Sequence, residues 1–515
     1  MLSPERVQPA GPFEFDGLPP VSDDRCDRSD QSDQLTGRLD QMRDADQLAA
    51  AVADALRRCG AAPAAIDSVN ITYCKIKPGR DINAAFDIHA RWPCGRVQRL
   101  AASATLWGSA RRGQKHFDEE SAGLDIGPLA GRAELARFDR VTAFVPELAL
   151  QLRLFPADPV LSGLTPATDS ALLGEVLRRE LPACRDDGWQ PRDVGYTPLH
   201  YKPKRSCTLR YTATLEHATG GSRQVEFYGK VYRDDRGDYC HRWLQATHAA
   251  SASGCAWRAA APIAFVPDWN FVLQSSVAGR QFRHLFAELT GDHATDSELE
   301  QVEGHLQAIA HAIHSVQSAP VRFGPQIDFH SLLAGQANNL AYLRRWQPDL
   351  ADRVARVRDE LDRLEPTIPA GPLVLAHGDF AHGNVLVESG PQSAIVGRQS
   401  PPVGIIDFDR GGQAEPAYDV AYFLTHVWSF GVRHPRRMRH VARLYEAFRR
   451  AYLALAPDVS PRRLALYEAL DFAAYVLRNF RKQSHQPNWL VWADAQVDAA
   501  FDRLAQAAGR EGAAR

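Results

Sequence analysis

Three side chains in the second half of this sequence, Asp379, Asn384 and Asp407, have the types and spacing to move a phosphoryl group. They stand in two short segments. The first reads His377-Gly378-Asp379-Phe380-Ala381-His382-Gly383-Asn384, and the second Gly404-Ile405-Ile406-Asp407-Phe408-Asp409. Phosphoryl transfer asks for little covalent chemistry from a protein; it needs an acceptor held in position and cations that neutralise phosphate charge. A carboxylate such as Asp379 can take the acceptor hydroxyl's proton. The amide oxygen of Asn384 and the carboxylate of Asp407 are hard donors of the kind Mg2+ requires. Asp409 has two readings, assistance to a second magnesium ion or an ion pair with Arg410. An Asp and an Asn in a Gly-containing loop are by themselves turn formers. The second acidic motif, at the end of an apolar strand, is what directs the pair toward catalysis.

The elements that must hold these residues are legible around them. The apolar runs Leu373-Val374-Leu375 and Val385-Leu386-Val387 flank the first loop, so both motifs are expected at strand ends. Upstream, the alternation Leu209, Tyr211, Ala213, Leu215 and again Val225, Phe227, Gly229, Val231 has a period of two, which predicts half-buried antiparallel strands. After Gly279 the pattern becomes helical, including Leu299 to Val316 and Ala442 to Leu455. A sheet-rich part feeding a helical part predicts an α+β fold of two lobes with a ligand cleft between them.

The sheet-rich part contains an echo of itself. Leu56-Arg57-Arg58 returns as Leu177-Arg178-Arg179, Lys77-Pro78-Gly79-Arg80 as Lys202-Pro203-Lys204-Arg205, Arg112-Gly113 as Arg236-Gly237, and Ala143-Phe144-Val145-Pro146 as Ala264-Phe265-Val266-Pro267. The offsets of 121, 125, 124 and 121 are nearly constant, as a duplicated unit with small loop changes requires. The predicted division is a loose tail over 1–36, a degenerate amino-lobe-like cap over 37–165, an amino lobe over 166–280 and a helical catalytic lobe over 281–515. The tail is assigned on its polar, turn-rich composition.

Bulk composition narrows the partners. The 60 Lys and Arg against 62 Asp and Glu leave no overall basic field for nucleic acid or an anionic membrane. Eight scattered cysteines without a C-x-x-C pair indicate neither a zinc site nor a disulfide framework. No secretory start and no unbroken apolar run of membrane-spanning length is seen, so the chain reads as soluble and cytoplasmic.

The two acidic motifs, at this separation, resemble those of the aminoglycoside phosphotransferase and choline kinase group, relatives of the protein kinases. The resemblance covers about residues 195 to 485 and implies a protein-kinase-like fold that uses ATP and Mg2+ to phosphorylate a small-molecule hydroxyl. In it, Asp379 matches the catalytic base, and Asn384 and Asp407 match metal ligands. Lys230 stands where the strand lysine that meets the phosphates would be. Phe271-Val272-Leu273-Gln274, followed by Gly279-Arg280, resembles the adenine strand and hinge, which brings Gln274 and Ser276 into the expected nucleotide site. His377 is read as structural and Asp419 as an anchor of the catalytic loop. No G-x-G-x-x-G loop precedes Lys230, so Lys204, Arg205 and Ser206 in the hairpin turn are expected to cover the phosphates. From Tyr239 to Pro262 there is no Glu or Asp, so the helix glutamate that pairs with the lysine in kinases is missing, with Asp238 or Gln245 as candidate replacements. No A-P-E segment follows Asp407, which disfavours a protein kinase.

The first unit has no lysine in its counterpart strand, Arg99 to Leu106, and no catalytic motif of its own. A cap, a packing platform or a homodimer surface are the roles open to it. For the acceptor, Gly431 to Gln483 holds twelve Arg and Lys against four Asp and Glu, which favours a neutral or anionic molecule over a cationic one. The alternative from another class is a kinase-like binding or scaffold protein without turnover, suggested by the missing glutamate and the empty first unit.

Overall fold

The computed structural model describes residues 29–77, 79–123, 127–129, 132–251, 255–388 and 402–510. Most of the expected amino-terminal tail lies outside these residues, and its far boundary needs correction. A helix already spans Ser29–Arg43, with Leu35, Leu39 and Met42 buried. Spacings of four and then three put those side chains on one helical face, which outweighs the polar composition between them.

Two five-stranded antiparallel sheets follow. The first is built from Ala65–Lys77, Asp81–Arg91, Val97–Trp107, Thr142–Val145 and Leu150–Leu154. The second uses Trp189–Lys202, Ser206–His217, Ser222–Tyr232, Pro262–Val266 and Phe271–Ser275. With strands counted along the chain within each sheet, both have the spatial order 1-2-3-5-4. A helix sits between the third and fourth strands of each, Ala110–Gly123 in one and Arg236–Ala250 in the other. Both final hairpins turn on a proline-led 3-10 turn ending in a left-handed residue, Ala149 at φ 47° and Asn270 at φ 45°. The carbonyls of those residues accept the backbone N–H groups of Trp107 and Tyr232, each at 3.0 Å. The sheets pack on one another through a shared apolar cluster that holds Ala85 and Phe155 of the first with Tyr201 and Tyr211 of the second.

The remainder is helical, as the change of period predicts. Long helices span Asp296–Gln317, Pro348–Leu364, Ala417–Arg433, Met438–Leu455, Pro461–Gln483 and Trp489–Ala507. The first opens with a reciprocal capping box between Thr295 and Glu298, which satisfies two backbone donors that the helix start would leave without partners. Phe282, Phe423, Phe448 and Leu464 lie in the main core. The sheet region of the amino-terminal unit reaches this lobe directly, because Arg481 Nε donates to the Ile76 carbonyl at 3.2 Å. No helix among the described residues is long and apolar enough to cross a membrane.

Candidate active site

Two short antiparallel strands, Val385–Val387 and Val403–Ile405, bring the acidic motifs together. Val385 pairs with Ile405, and the Ile406 N–H donates to the Asn384 carbonyl at 3.0 Å, so Asn384 and Asp407 leave the strands side by side. The preceding loop is fixed from below. Asp419 on the helix Ala417–Arg433 accepts the N–H groups of His377 at 2.6 Å and Gly378 at 3.0 Å. His377 Nδ1 accepts the Asp379 N–H at 3.2 Å, which leaves Nε2 to donate to the Ile406 carbonyl at 2.9 Å. That imidazole therefore ties the two motifs together, in keeping with a structural role. Gly378 has φ +79°, and a Cβ there would fall 1.9 Å from the Arg410 carbonyl oxygen, so only glycine fits. Asp407 is itself left-handed at φ 66°, a conformation costing a non-glycine residue about 1–3 kcal/mol and concentrated at functional sites.

A cavity of about 660 Å³ between the second sheet and these strands is lined by Lys230, Gln274, Asp379, Asn384, Asp407 and Asp409, among others. Lys230 Nζ lies 2.9 Å from Asp407 Oδ1 and 2.5 Å from Asp409 Oδ2. Tyr232 donates its hydroxyl to Asp409 Oδ1 at 2.9 Å, so Asp409 turns toward Lys230 and Tyr232. Burial pushes the Lys230 ammonium down, but Asp407 and Asp409 outweigh it and hold it well above the ordinary lysine range. Burial pushes Asp407 up, and Lys230 with Lys202 pulls it well below the usual carboxylate range. For Asp379 burial again raises, while Arg410 and a hydrogen bond from Tyr422 outweigh it and leave the carboxyl below its ordinary value. The Tyr422 hydroxyl donates to Asp379 Oδ1 at 2.5 Å, and Asn384 Nδ2 donates to the Asp379 carbonyl at 2.9 Å. Asp379 is thus ionised at neutral pH and held by its neighbours, as a proton acceptor must be.

Other expected residues lie elsewhere. Arg205, Ser206 and Ser276 are not among the residues lining the cavity. Ser206 is buried in register with Tyr232, and Lys204 turns its ammonium to Glu120 of the first unit. The hairpin turn therefore does not cover the cavity. The strand before it does: His200 pairs with Thr208, Thr208 with Lys230 and Lys230 with Val272, a cross-strand row whose four members all line the cavity, and Lys202 lines it beside them. Lys202 and Thr208 were open to sequence reasoning, because once Lys230 is placed the period of two selects the neighbours that share its face. Asp238 pairs with Arg242 at 2.9 Å and Gln245 is exposed, so neither replaces the helix glutamate. The helix Arg236–Ala250 shows the cavity Cys240 and Leu244, and the carboxylate partners of Lys230 come from the metal motif.

The donor set of Asn384, Asp407 and Asp409 fits magnesium, which is bound through one or two carboxylates and takes further oxygens from phosphate and water. Among the described residues no group of three or more His, Cys, Asp or Glu is arranged as a metal site. The cationic Lys230 between the two carboxylates shows that this pocket already organises positive charge against them.

A sheet-rich lobe carrying a lysine, a helical lobe carrying an Asp-Asn loop and a metal-type aspartate, and a cleft between them define a small-molecule phosphotransferase of the kinase-like kind. Residues 216–467, just under half of the chain, match the model of the phosphotransferase enzyme family (APH). The first sheet lies outside the match. Among solved structures, a choline/ethanolamine kinase family protein from Mesorhizobium loti is similar at 13% identity over 58% of this chain and 90% of its own, with a TM-score of 0.39. An aminoglycoside phosphotransferase from Streptomyces rimosus is similar at 17% over 58% and 97%, TM-score 0.34. A choline kinase from Streptococcus pneumoniae is similar at 12% over 61% and 92%, TM-score 0.34. No curated protein matches the sequence.

Proposed function

We propose that the protein transfers the γ-phosphoryl group of ATP, with Mg2+, to a hydroxyl of a neutral or anionic small molecule. One observation carries the reading: Lys230, Asp379, Asn384, Asp407 and Asp409, far apart in sequence, line a single cavity. In this reading Asp379 accepts the hydroxyl's proton, while Tyr422 keeps its carboxylate in place and Asn384 holds its backbone carbonyl. Asn384 and Asp407, with Asp409 beside them, would hold the magnesium, whose part is to neutralise charge on the phosphates. Lys230 stands within reach of both carboxylates, so it can exchange one of them for a phosphate oxygen. Gln274, on the strand Phe271–Ser275, lines the same cavity and in this reading meets the adenine. We also propose that the two sheets are copies of one unit, with 37–165 serving as a cap on the lobes at 166–280 and 281–515.

Replacing the base separates chemistry from binding. Asp379→Asn is expected to lower ADP formation by at least about a thousandfold while full-chain stabilisation by Mg-ATP persists. A near-normal rate in that variant would remove Asp379 from the mechanism. Absence of turnover in the parent protein across sugars, aminoglycosides, amino alcohols and nucleosides, with Mg-ATP still bound, would favour the scaffold alternative.

A further inference from the structure

A second cleft, of about 320 Å³, opens beside Asp379 on the helical side, and its lining contains Arg433, Arg478 and Lys482 but no Asp or Glu. It is continuous with the catalytic loop through two residues. Tyr422 lines it and also donates to Asp379, and His382 of the loop Asp379–Asn384 forms part of its wall. Arg478 NH1 in turn donates to the Tyr422 hydroxyl at 2.9 Å, so the guanidinium is one hydrogen bond removed from the group that contacts the base.

Its aromatic side chains would suggest a cation-binding cage, but their faces are already taken. The Arg478 guanidinium lies 4.9 Å from the Tyr422 ring centroid and 5.6 Å from that of Tyr475, and Arg433 lies 5.9 Å from Tyr475. An incoming ammonium would have to displace a resident arginine, and the lining itself offers no carboxylate to receive it; Asp471, which pairs with Arg478 at 3.4 Å, lies outside that lining. Arg433 hydrogen-bonds to neutral partners, the Tyr475 hydroxyl at 2.8 Å and Gln483 Oε1 at 3.0 Å. His382 Nδ1 and His426 Nε2, on rings that both line the cleft, are buried and have no hydrogen-bond partner.

Resting on the phosphotransferase reading above, we propose that this cleft is the acceptor site and selects a hydroxyl compound bearing a carboxylate or phosphate, which Arg433, Arg478 and Lys482 recognise. Guanidinium groups match the planar oxygens of such anions in bidentate fashion. The two histidines, each with a ring nitrogen that has no partner, are placed to serve the acceptor's hydroxyls.

The test uses the full chain and a set of sugars alike except in charge: glucose, glucosamine, glucuronate and glucose 1-phosphate, with choline added. Binding is measured by calorimetry without nucleotide, and ADP formation separately with Mg-ATP. Glucuronate, glucose 1-phosphate or both should bind more tightly than glucose by at least tenfold, and glucosamine and choline should not bind. Which anion binds distinguishes carboxylate from phosphate recognition. Arg433→Gln and Lys482→Gln should each weaken that binding about tenfold, while stabilisation by Mg-ATP stays at the parental level; the second variant serves if the first does not fold. Failure of both anions to bind, tighter binding of glucosamine or choline, or equal anion binding in the variants overturns the proposal. None of those results touches the phosphotransferase reading, which fails with absence of ADP formation across the whole acceptor panel.

Discussion

The two sheets share strand order, inserted helix and closing turn, yet one faces a cavity and the other has closed the corresponding face. In the second, the cross-strand row runs His200, Thr208, Lys230, Val272 along the open cavity. In the first, the row in the same place runs Lys75, Asn83, Thr105, Gln151, and all four are buried. Thr105 stands where Lys230 stands. Beside that row, on the strand Leu150–Leu154, Arg153 is paired with Glu120 on the helix Ala110–Gly123. At the offset of 124 that relates Gly113 to Gly237, the counterpart of Glu120 is Leu244, which lines the cavity. The helix of the first sheet thus carries a carboxylate where that of the second has a leucine at this offset, and that carboxylate also holds Lys204 in the second sheet's hairpin. A sheet of this order can therefore either open a cationic row to a ligand or bury a paired cation as a joint with its neighbour.

The largest effect that could break this contrast is at the lysine itself. Lys230→Met should lower kcat/KM on the order of a hundredfold or more, since it removes the charge proposed to face the phosphates. Thr105→Val, at the matching place, should cost about 1 kcal/mol in denaturant unfolding through its lost hydrogen bond with Arg153, and leave kcat/KM at the parental value. Equal kinetic effects would erase the distinction. The joint comes next. Glu120→Gln leaves Arg153, whose side chain is 3% exposed, without its charge partner and should destabilise the chain by about 2 kcal/mol or more. An unchanged unfolding midpoint would show that the pair holds nothing.

The smallest effect is the pH dependence of that joint. Burial pushes the Glu120 carboxyl up, but Arg153 and Lys204 outweigh it, so its folded value lies below the ordinary one. A depressed carboxylate contributes its full stabilisation above its unfolded pKa, near 4.3, and loses it as the pH falls through the folded value. The stability gap between the parent and Glu120→Gln should therefore be constant above about pH 5 and shrink in more acidic solution. A gap that instead widens toward low pH would reverse the sign assigned to the pair.

Much of this arrangement was legible in the sequence because its signals are local. The period of two at Leu209 to Leu215 marked a strand that the structure extends over Ser206–His217, and the two acidic motifs stand at strand ends as their flanking apolar runs require. What stayed hidden depends on contacts between distant segments. Nothing near Lys204 in sequence tells that its ammonium is drawn to Glu120, and so the turn at Arg205 and Ser206 was assigned to the phosphates. Tyr422 lies on a largely buried helix, Ala417–Arg433, and its role shows only when the helix is placed against Asp379. The start of the helix Ser29–Arg43 was missed because three apolar side chains among polar neighbours suffice when a partner surface covers them.

The central claim is that Lys230, Asn384 and Asp407 form a magnesium-dependent nucleotide site. Thermal unfolding of the full chain with ATP at about 100 times its dissociation constant tests it most directly. Stabilisation of about 2.7 kcal/mol is expected with magnesium present, and it should largely vanish when the metal is withheld or in Asp407→Asn. Equal stabilisation with and without the metal, or an undiminished shift in Asp407→Asn, would contradict the account.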